Sequence, residues 1–419
     1  MPPIDYDPLI SREWDDPYPT YRRLRDEAPV HFAPGSNTWT LSRYDDVVFA
    51  LKHPELFSSA SAFDVLAQQL AVDIGWRDLV AFARFLVRAR VGWKMFVTGA
   101  GDSVIGVDPP RHEELRGIVN RAFTPRRIEG WSRRVGEVVE ACMAKLRRGD
   151  RFDVVEDLAI PVPMIVIAEM IGVETERRAD FKAWSNAIIS GVSSSDRKRA
   201  RPAMLDAMTE LSRYLHGVVR ERRRMPADDL ISVLVDPTRG ATLGADAIMQ
   251  FILILLIAGN ETTTNLIGNA IVALLGNPEQ LERVVAEPEQ VAELVEETLR
   301  FDGPVQFIAR RTTRDVEIAG STLPANSRVI LLLGSANRDE RQFESPDEFD
   351  LARETKGHVG FGLGIHFCLG ASLARLEART VLAALVPELP RLRGPLERIA
   401  LIDSVLVRGR RRILLEPVA

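Results

Sequence analysis

"FGLGIHFCLG", Phe361 to Gly370, sets one of the chain's two cysteines among glycines, with a histidine two residues before it. Gly362, Gly364 and Gly370 let the backbone turn tightly and approach a flat object closely. They also leave N–H groups to point at the sulfur. A thiolate among amide donors is a tuned metal ligand, because those hydrogen bonds set its electron donation. The residues that follow, "ASLARLEARTVLAALV", read as a helix. Cys368 therefore stands just before a helix N-terminus, where the dipole lowers a thiol pKa. Taken alone, a cysteine reads as a small buried apolar residue. The glycines, His366 and the following helix argue for a ligand instead.

The surrounding chain narrows the class. Its 419 residues carry a net charge of −5, which excludes nucleic-acid binding through bulk charge. Two distant cysteines, Cys142 and Cys368, make no disulfide framework, so a reducing cytoplasm is expected. "MPPIDYDPLI" has neither a basic start nor an apolar h-region, so no signal peptide is expected. The longest apolar run, "FILILLIAG", is about half a membrane span, which predicts a soluble protein.

Helical spacing runs through "DPYPTYRRLRDEA", "RHEELRGIVNRAF", "WSRRVGEVVEACMAKLRR" and "LHGVVRERRR". Short strands are predicted at "NTWTLS", "DVEIAG" and "SRVILLLG", and turns at Pro109-Pro110, Asn277-Pro278 and Ser345-Pro346. No linker or repeat divides the chain, so residues 1–419 read as a single mainly α domain with a small β-rich part. From Leu243 to Leu275 a proline-free helical pattern implies a rod roughly 50 Å long. Its apolar centre implies burial on all sides, yet "AGNETTT" interrupts it. A carboxylate and a run of hydroxyls inside a buried helix are costly unless something uses them.

"FGLGIHFCLG" resembles the haem-binding loop of the cytochrome P-450 family, in which a phenylalanine, two glycines and a basic residue precede the cysteine and a glycine follows it. The resemblance implies the family fold, a large helical domain with a long helix crossing over the haem and a small β-rich subdomain. It also implies haem b (iron protoporphyrin IX), with Cys368 as the iron ligand and Phe361 and Gly362 in the haem loop. Other motifs follow in order. In "EETLR", Glu297 and Arg300 share a helix face; a surface salt bridge is the ordinary reading of such a pair. The resemblance makes it a buried structural pair joined by Arg353. "AGNETTT" resembles the oxygen-activation segment, with Thr262 as the alcohol at the dioxygen site and Glu261 as the acid in the proton path. Ala258 and Gly259 are small enough to let the helix open locally, and a threonine can bond back within its helix. A polar stripe packed on another helix is the plainer alternative.

The haem carboxylates need cations. By resemblance these are His112 and Arg116 from "DPPRHEELRG", Arg310 from "FIARRTTRDVEIAG", and His366. Arg311 competes with Arg310, which is preferred for its spacing to Glu317 and Gly320. Each alone also reads as a solvated charge or a core histidine. The resemblance implies a monooxygenase that activates O2 and hydroxylates or otherwise oxidises a hydrophobic small molecule. Thiolate donation favours O–O cleavage, and the Glu261–Thr262 pair favours the reductant-driven route. A peroxide-driven or coupling haem-thiolate enzyme is the alternative. A haem sensor or carrier would not need Glu261 and Thr262, and a non-haem helical interaction protein would make every motif coincidence. No flavin or iron–sulfur motif is present, so electrons are expected from separate proteins; the resemblance implies a ferredoxin and its reductase, with NAD(P)H as source. "RGIVNRAFTPRR", read as continuing the His112 helix, offers Arg121, Arg126 and Arg127 to an acidic ferredoxin, or is an ordinary solvated charge run. A monomer is expected.

One region departs from the family pattern. Residues 62–98 form an enlarged connection whose "IGWRDLVAFARFLVRARVGWKMF" puts Leu79, Phe82, Phe85, Leu86, Trp93 and Phe96 on one helical face and Arg77, Arg84 and Arg88 opposite. A lid over a lipophilic substrate, a packed surface helix and a peripheral membrane contact all fit. Pocket walls by position are Ile254, Ile257, Val305, Gln306, Phe307, Val405 and Leu406. They are mostly apolar, so the substrate is a terpenoid, steroid, fatty acid or aromatic.

Overall fold

The computed structural model describes residues 4–9, 15–60, 80, 85, 103–193, 197–394, 399–402, 404 and 407–418. The chain divides into two compact units, one of Met1–Ala62, Val139–Ala159 and Thr262–Ala419, the other of Phe63–Val138 and Ile160–Glu261.

The first unit holds a five-stranded sheet in the order Val30–Ala33, Thr38–Leu41, Arg328–Leu332, Phe307–Thr312, Phe57–Ser58. Thr38–Leu41 and Arg328–Leu332 run parallel, and the remaining neighbours antiparallel. Leu41, Val47, Phe57, Val329, Leu331 and Leu333 form its core. The strands predicted in "NTWTLS", "DVEIAG" and "SRVILLLG" form, the second as a hairpin with Ser321–Leu323. Phe307–Thr312 is a strand that apolar patterning does not announce, because two adjacent arginines break the alternation. Pairing on both of its edges selects it, a tertiary contact overriding local preference. The helix Val291–Phe301 and the helix Ala371–Leu385 pack on each other in the same unit.

A buried carboxylate organises the unit's terminal arms. Asp302 accepts from the Tyr18 hydroxyl at 2.6 Å, Arg408 Nε at 2.7 Å and Arg410 at 3.0 Å. Burial alone would raise its pKa, but the two guanidiniums outweigh that and hold it below the usual carboxylate range. Arg338 stacks over Tyr18 and Phe301 at 3.5 and 3.8 Å.

The second unit is helical. Its long helices Arg178–Ser193 and Arg197–Arg224 pack side by side. The helix that carries His112 and Arg116 spans Arg111–Asn120. It does not continue through the basic stretch as expected from sequence. Arg126 and Arg127 lie in a separate short helix, Pro125–Glu129. Pro125 has no N–H to donate to a preceding turn and instead starts a new helix.

The predicted rod forms as Ala245–Gly276, with α-helical ends and a π-helical stretch, Leu256–Asn260, in the middle. It is long and apolar enough to cross a membrane, which the short apolar run alone did not suggest. Thr264 and Asn269 find protein partners, as in a core helix. Thr264 donates to the Ala159 carbonyl at 2.9 Å, and Asn269 to the carbonyls of Asp302 and Arg408. The π stretch sits at Ala258 and Gly259, where sequence placed a local opening. A Cβ on Gly259 would come within 3.2 Å of Ile167 on the helix Pro161–Ile171.

Candidate active site

The cysteine loop is built by backbone hydrogen bonds. Gly362 N–H donates to Val359 O at 2.8 Å, Phe367 N–H to Gly364 O at 3.1 Å, and Cys368 N–H to Phe361 O at 3.0 Å. The amide of Cys368 therefore closes its own loop. Gly364 has φ +73°, and a Cβ there would sit 2.5 Å from the carbonyl oxygen of Leu51. On the other flank a Cβ at Gly360 would meet Leu299 O at 2.7 Å. Two glycines thus press the loop against backbone on both sides. Cys368 is partly exposed, as are Phe361, Leu363, Ile365 and Leu369, and Phe367 is 40% exposed. The helix Ala371–Leu385 starts three residues after the cysteine, as expected.

Glu297 and Arg300 are both fully buried, not a surface pair. Arg300 grips Glu297 with two bonds of 2.7 Å and donates to the carbonyls of Asn337, Pro346 and Glu348. Arg353 reaches Glu297 at 3.4 Å and binds the carbonyls of Glu344, Ser345 and Glu348. The pair connects to the cysteine loop through Asn337, whose amide donates to Leu299 O at 3.3 Å and whose Oδ1 accepts from Val359 N–H at 2.7 Å.

The other predicted residues fall in both units. In the unit with Cys368, Arg310 is buried and donates to Ala309 O, whereas Arg311 on the opposite strand face is engaged with Asn326. His366 is half-buried in the short 3-10 turn Gly364–His366. In the other unit His112 is buried one turn from Arg116. Burial first, then the charge of Arg116, push the His112 imidazole below its ordinary value, against the opposite pull of Glu113 and Asp108. On the long helix, Thr262 and Glu261 are partly exposed while Thr263 and Thr264 are buried. Ala258 is exposed, although Leu256 and Asn260 in the same π-helical stretch are buried. Ile254, Ile257 and Val305 are half-buried. Gln306 is buried and donates to Gly303 O at 2.8 Å, so its amide turns into the fold rather than toward a ligand, and Phe307 is buried at the start of its strand. Val405 and Leu406 lie outside the described residues, as does the 62–98 segment except for Val80 and Phe85, of which Phe85 is buried.

Residues 81–389 match the family model described as Cytochrome P450. The chain belongs to the cytochrome P450 family. It is 36% identical over 407 residues to the Vitamin D(3) 25-hydroxylase of Pseudonocardia autotrophica, covering 96% of this chain and 93% of that one. Two solved structures share the fold. Cytochrome P450 CYP109Q5 from Chondromyces apiculatus has a TM-score of 0.84 at 37% identity, over 100% of this chain and 99% of that one. CYP109E1 from Bacillus megaterium in complex with corticosterone has a TM-score of 0.81 at 33% identity, over 97% and 100%.

Cytochromes P450 are haem-containing monooxygenases, and the donor set of this P450 suits such a group. A soft thiol stands at a helix start among half-exposed apolar side chains, which suit a flat hydrophobic ring. Arg310 in the same unit is of the sign that anionic haem carboxylates require, and the His366 imidazole can offer them a hydrogen bond. Sequence reasoning missed four residues of this P450's cysteine region. Glu296, His358 and Arg375 form a polar cluster around the loop. Glu377 lies on the following helix, where burial alone pushes its carboxyl up to about 8. Glu296, Arg375 and Glu377 were hidden in ordinary helical amphipathicity and His358 in a loop, and only the packing marks them.

Two outcomes follow from these contacts. Glu297→Ala leaves Arg300 buried and uncompensated, so stability should fall by about 3–5 kcal/mol in chemical denaturation; a loss under 1 kcal/mol would contradict the described burial. Glu377 keeps its proton in the folded state up to pH about 8, whereas an ordinary carboxyl loses it near 4.5. Its contribution to stability therefore declines as pH rises through that window. The melting temperature of Glu377→Gln should fall less between pH 5 and 8 than that of the parent, and parallel curves would refute the burial argument.

Proposed function

We propose that this cytochrome P450 uses haem b ligated by Cys368 to hydroxylate a large hydrophobic small molecule, with electrons from a separate ferredoxin and its reductase in the bacterial cytoplasm. The steroid and secosteroid class is the first candidate. The observation that carries this reading is the partly exposed Cys368 thiol, held in a loop that backbone contacts on both flanks prevent from retreating. Haem bound through a cysteinate supplies reductive O2 activation and oxygen insertion into a C–H bond.

The chain's own groups have separate tasks. Phe361 and Gly362 shape the loop, while Glu297, Arg300 and Arg353 fix the elements beneath it. Arg310 supplies charge to the haem carboxylates and His366 a hydrogen bond; by resemblance, Arg116 and His112 are proposed for the same two tasks. The buried position of Arg310 supports it over Arg311, which Asn326 occupies. Thr262 holds and passes a proton toward the oxygen site, and Glu261 supplies it. Thr262 is favoured because the next two threonines are buried, one of them bound to Ala159. Ala258 and Gly259 provide room on the helix. Ile254, Ile257 and Val305 offer apolar contact to substrate.

The substrate class draws on two relatives, one named for vitamin D3 hydroxylation and one solved with corticosterone. Two cysteines without a disulfide suit a reducing compartment. Arg126, which is exposed, suits an acidic electron donor better than Arg121 or Arg127, which are half-buried and bound to Ala241 O and Asp228.

The purified protein should show the long-wavelength carbon monoxide band of a thiolate-bound haem, lost in Cys368→Ser. Steroids should shift the ferric spectrum, and NADPH with a surrogate ferredoxin system should give hydroxylated product. A parent protein without that band overturns the haem-thiolate reading; a band without steroid-induced shift or product overturns the substrate class. In Thr262→Ala, product per NADPH should drop at least ~10-fold while NADPH consumption continues and hydrogen peroxide accumulates. Unchanged coupling would remove Thr262 from the proton path.

A further inference from the structure

Glu296 lies beside the buried Glu297–Arg300 pair on the helix Val291–Phe301, but its carboxylate points to a different cluster. Arg375, seven residues after Cys368, donates to it from Nε at 2.6 Å and from Nη2 at 2.7 Å. His358, ten residues before Cys368, meets it through Nε2 at 3.1 Å. The other imidazole nitrogen, Nδ1, accepts the N–H of Gly360 at 3.1 Å, which assigns the proton to Nε2 and makes His358 the donor. Arg379 adds a longer contact of 3.7 Å from a more exposed position. One carboxylate therefore binds the chain on both sides of the cysteine loop. The Arg375 guanidinium also lies 4.6 Å from the centre of the Phe361 ring, within the loop.

This arrangement exceeds what holding two helices together requires. Burial would raise the Glu296 pKa, but the bonds from Arg375 and His358 outweigh it and hold the carboxyl at about 2. It is a carboxylate at any working pH. Arg375 is stabilised in its charged form chiefly by Glu296, and the charge of Cys368 reaches it as well. A cation packed on Phe361 of the cysteine loop and an anion bound to that cation form a matched pair whose balance sets the local field.

We propose that Glu296 is a positioning residue for Cys368, tying both ends of the cysteine loop through His358 and Arg375 and neutralising Arg375 so that its charge does not draw electron density from the sulfur. The inference rests on Cys368 being the haem ligand. Without the carboxylate, an uncompensated guanidinium against the cysteine loop favours the more negatively charged, reduced state. Without the guanidinium, the remaining carboxylate disfavours it. A structural tie alone has no such sign, because loosening the loop from either partner has the same consequence.

The test is reductive titration of the haem-loaded protein, with the carbon monoxide spectrum as a check on ligation. In Glu296→Gln the ferrous-to-ferric ratio at a fixed applied potential should rise at least ~3-fold, about 28 mV at 59 mV per decade for one electron. In Arg375→Gln it should fall, and in the double variant it should return toward the parent. Glu296→Asp should restore most of the parent value. Shifts of the same sign in both single variants, or no shift in either, overturn the inference while leaving haem ligation intact. If Glu296→Gln takes up no haem, Arg375→Gln still decides it by sign. A parent protein lacking the thiolate-type band would instead overturn the ligand assignment.

Discussion

The pair Glu297–Arg300 is the constraint on which the Cys368 region depends. Two opposite charges with no exposed side-chain surface are stable only if each finds its full set of partners. Arg300 takes three backbone carbonyls in addition to Glu297, and those carbonyls belong to the segment that leads to the cysteine loop. Desolvated charge is thereby converted into position. Asn337 extends the arrangement by one link, offering its carbonyl to Arg300 and its side chain to Leu299 and Val359. The neighbouring residue, Glu296, repeats the device on an adjacent face of the same helix with half-buried partners. Two consecutive glutamates thus serve adjacent layers of one support, one fixing the segment before the loop and the other spanning the loop itself.

Legibility in the sequence followed how local the cause was. The cysteine loop, the helix after it and the long central helix were readable because glycine spacing and 3.6-residue periodicity are written in consecutive residues. The resemblance to a known family supplied what spacing could not, namely that Glu297 and Arg300 are buried; the same two residues at the same separation are equally suited to a solvated helix face. Phe307–Thr312 was hidden because two arginines break its alternation, and only its neighbours on both edges make it a strand. The break at Asn120 was visible in principle, since Pro125 marks a helix start, but the basic composition on both sides masked it.

The least legible residues were Glu296, His358, Arg375 and Glu377. In the chain each is an ordinary polar side chain in a helix or a turn. Their meaning lies in partners 62 and 79 positions away or, for Glu377, in the burial of an acid. The reverse case is Gln306. Its position suggested a wall facing a ligand, but its amide is directed to Gly303, in space that the missing side chain of Gly334 leaves open.

The two carbonyls that abut Gly364 and Gly360 leave the cysteine loop without slack. Most surface loops absorb a changed side chain or an added residue by bulging outward, and this one is stopped by main chain in both directions. Any redesign that exchanges the sulfur for a longer donor, such as an imidazole, must therefore accommodate the extra reach on the ligand's side of the bond. The protein backbone acts here as a fixed anvil, and tuning by mutation is confined to the charges around it.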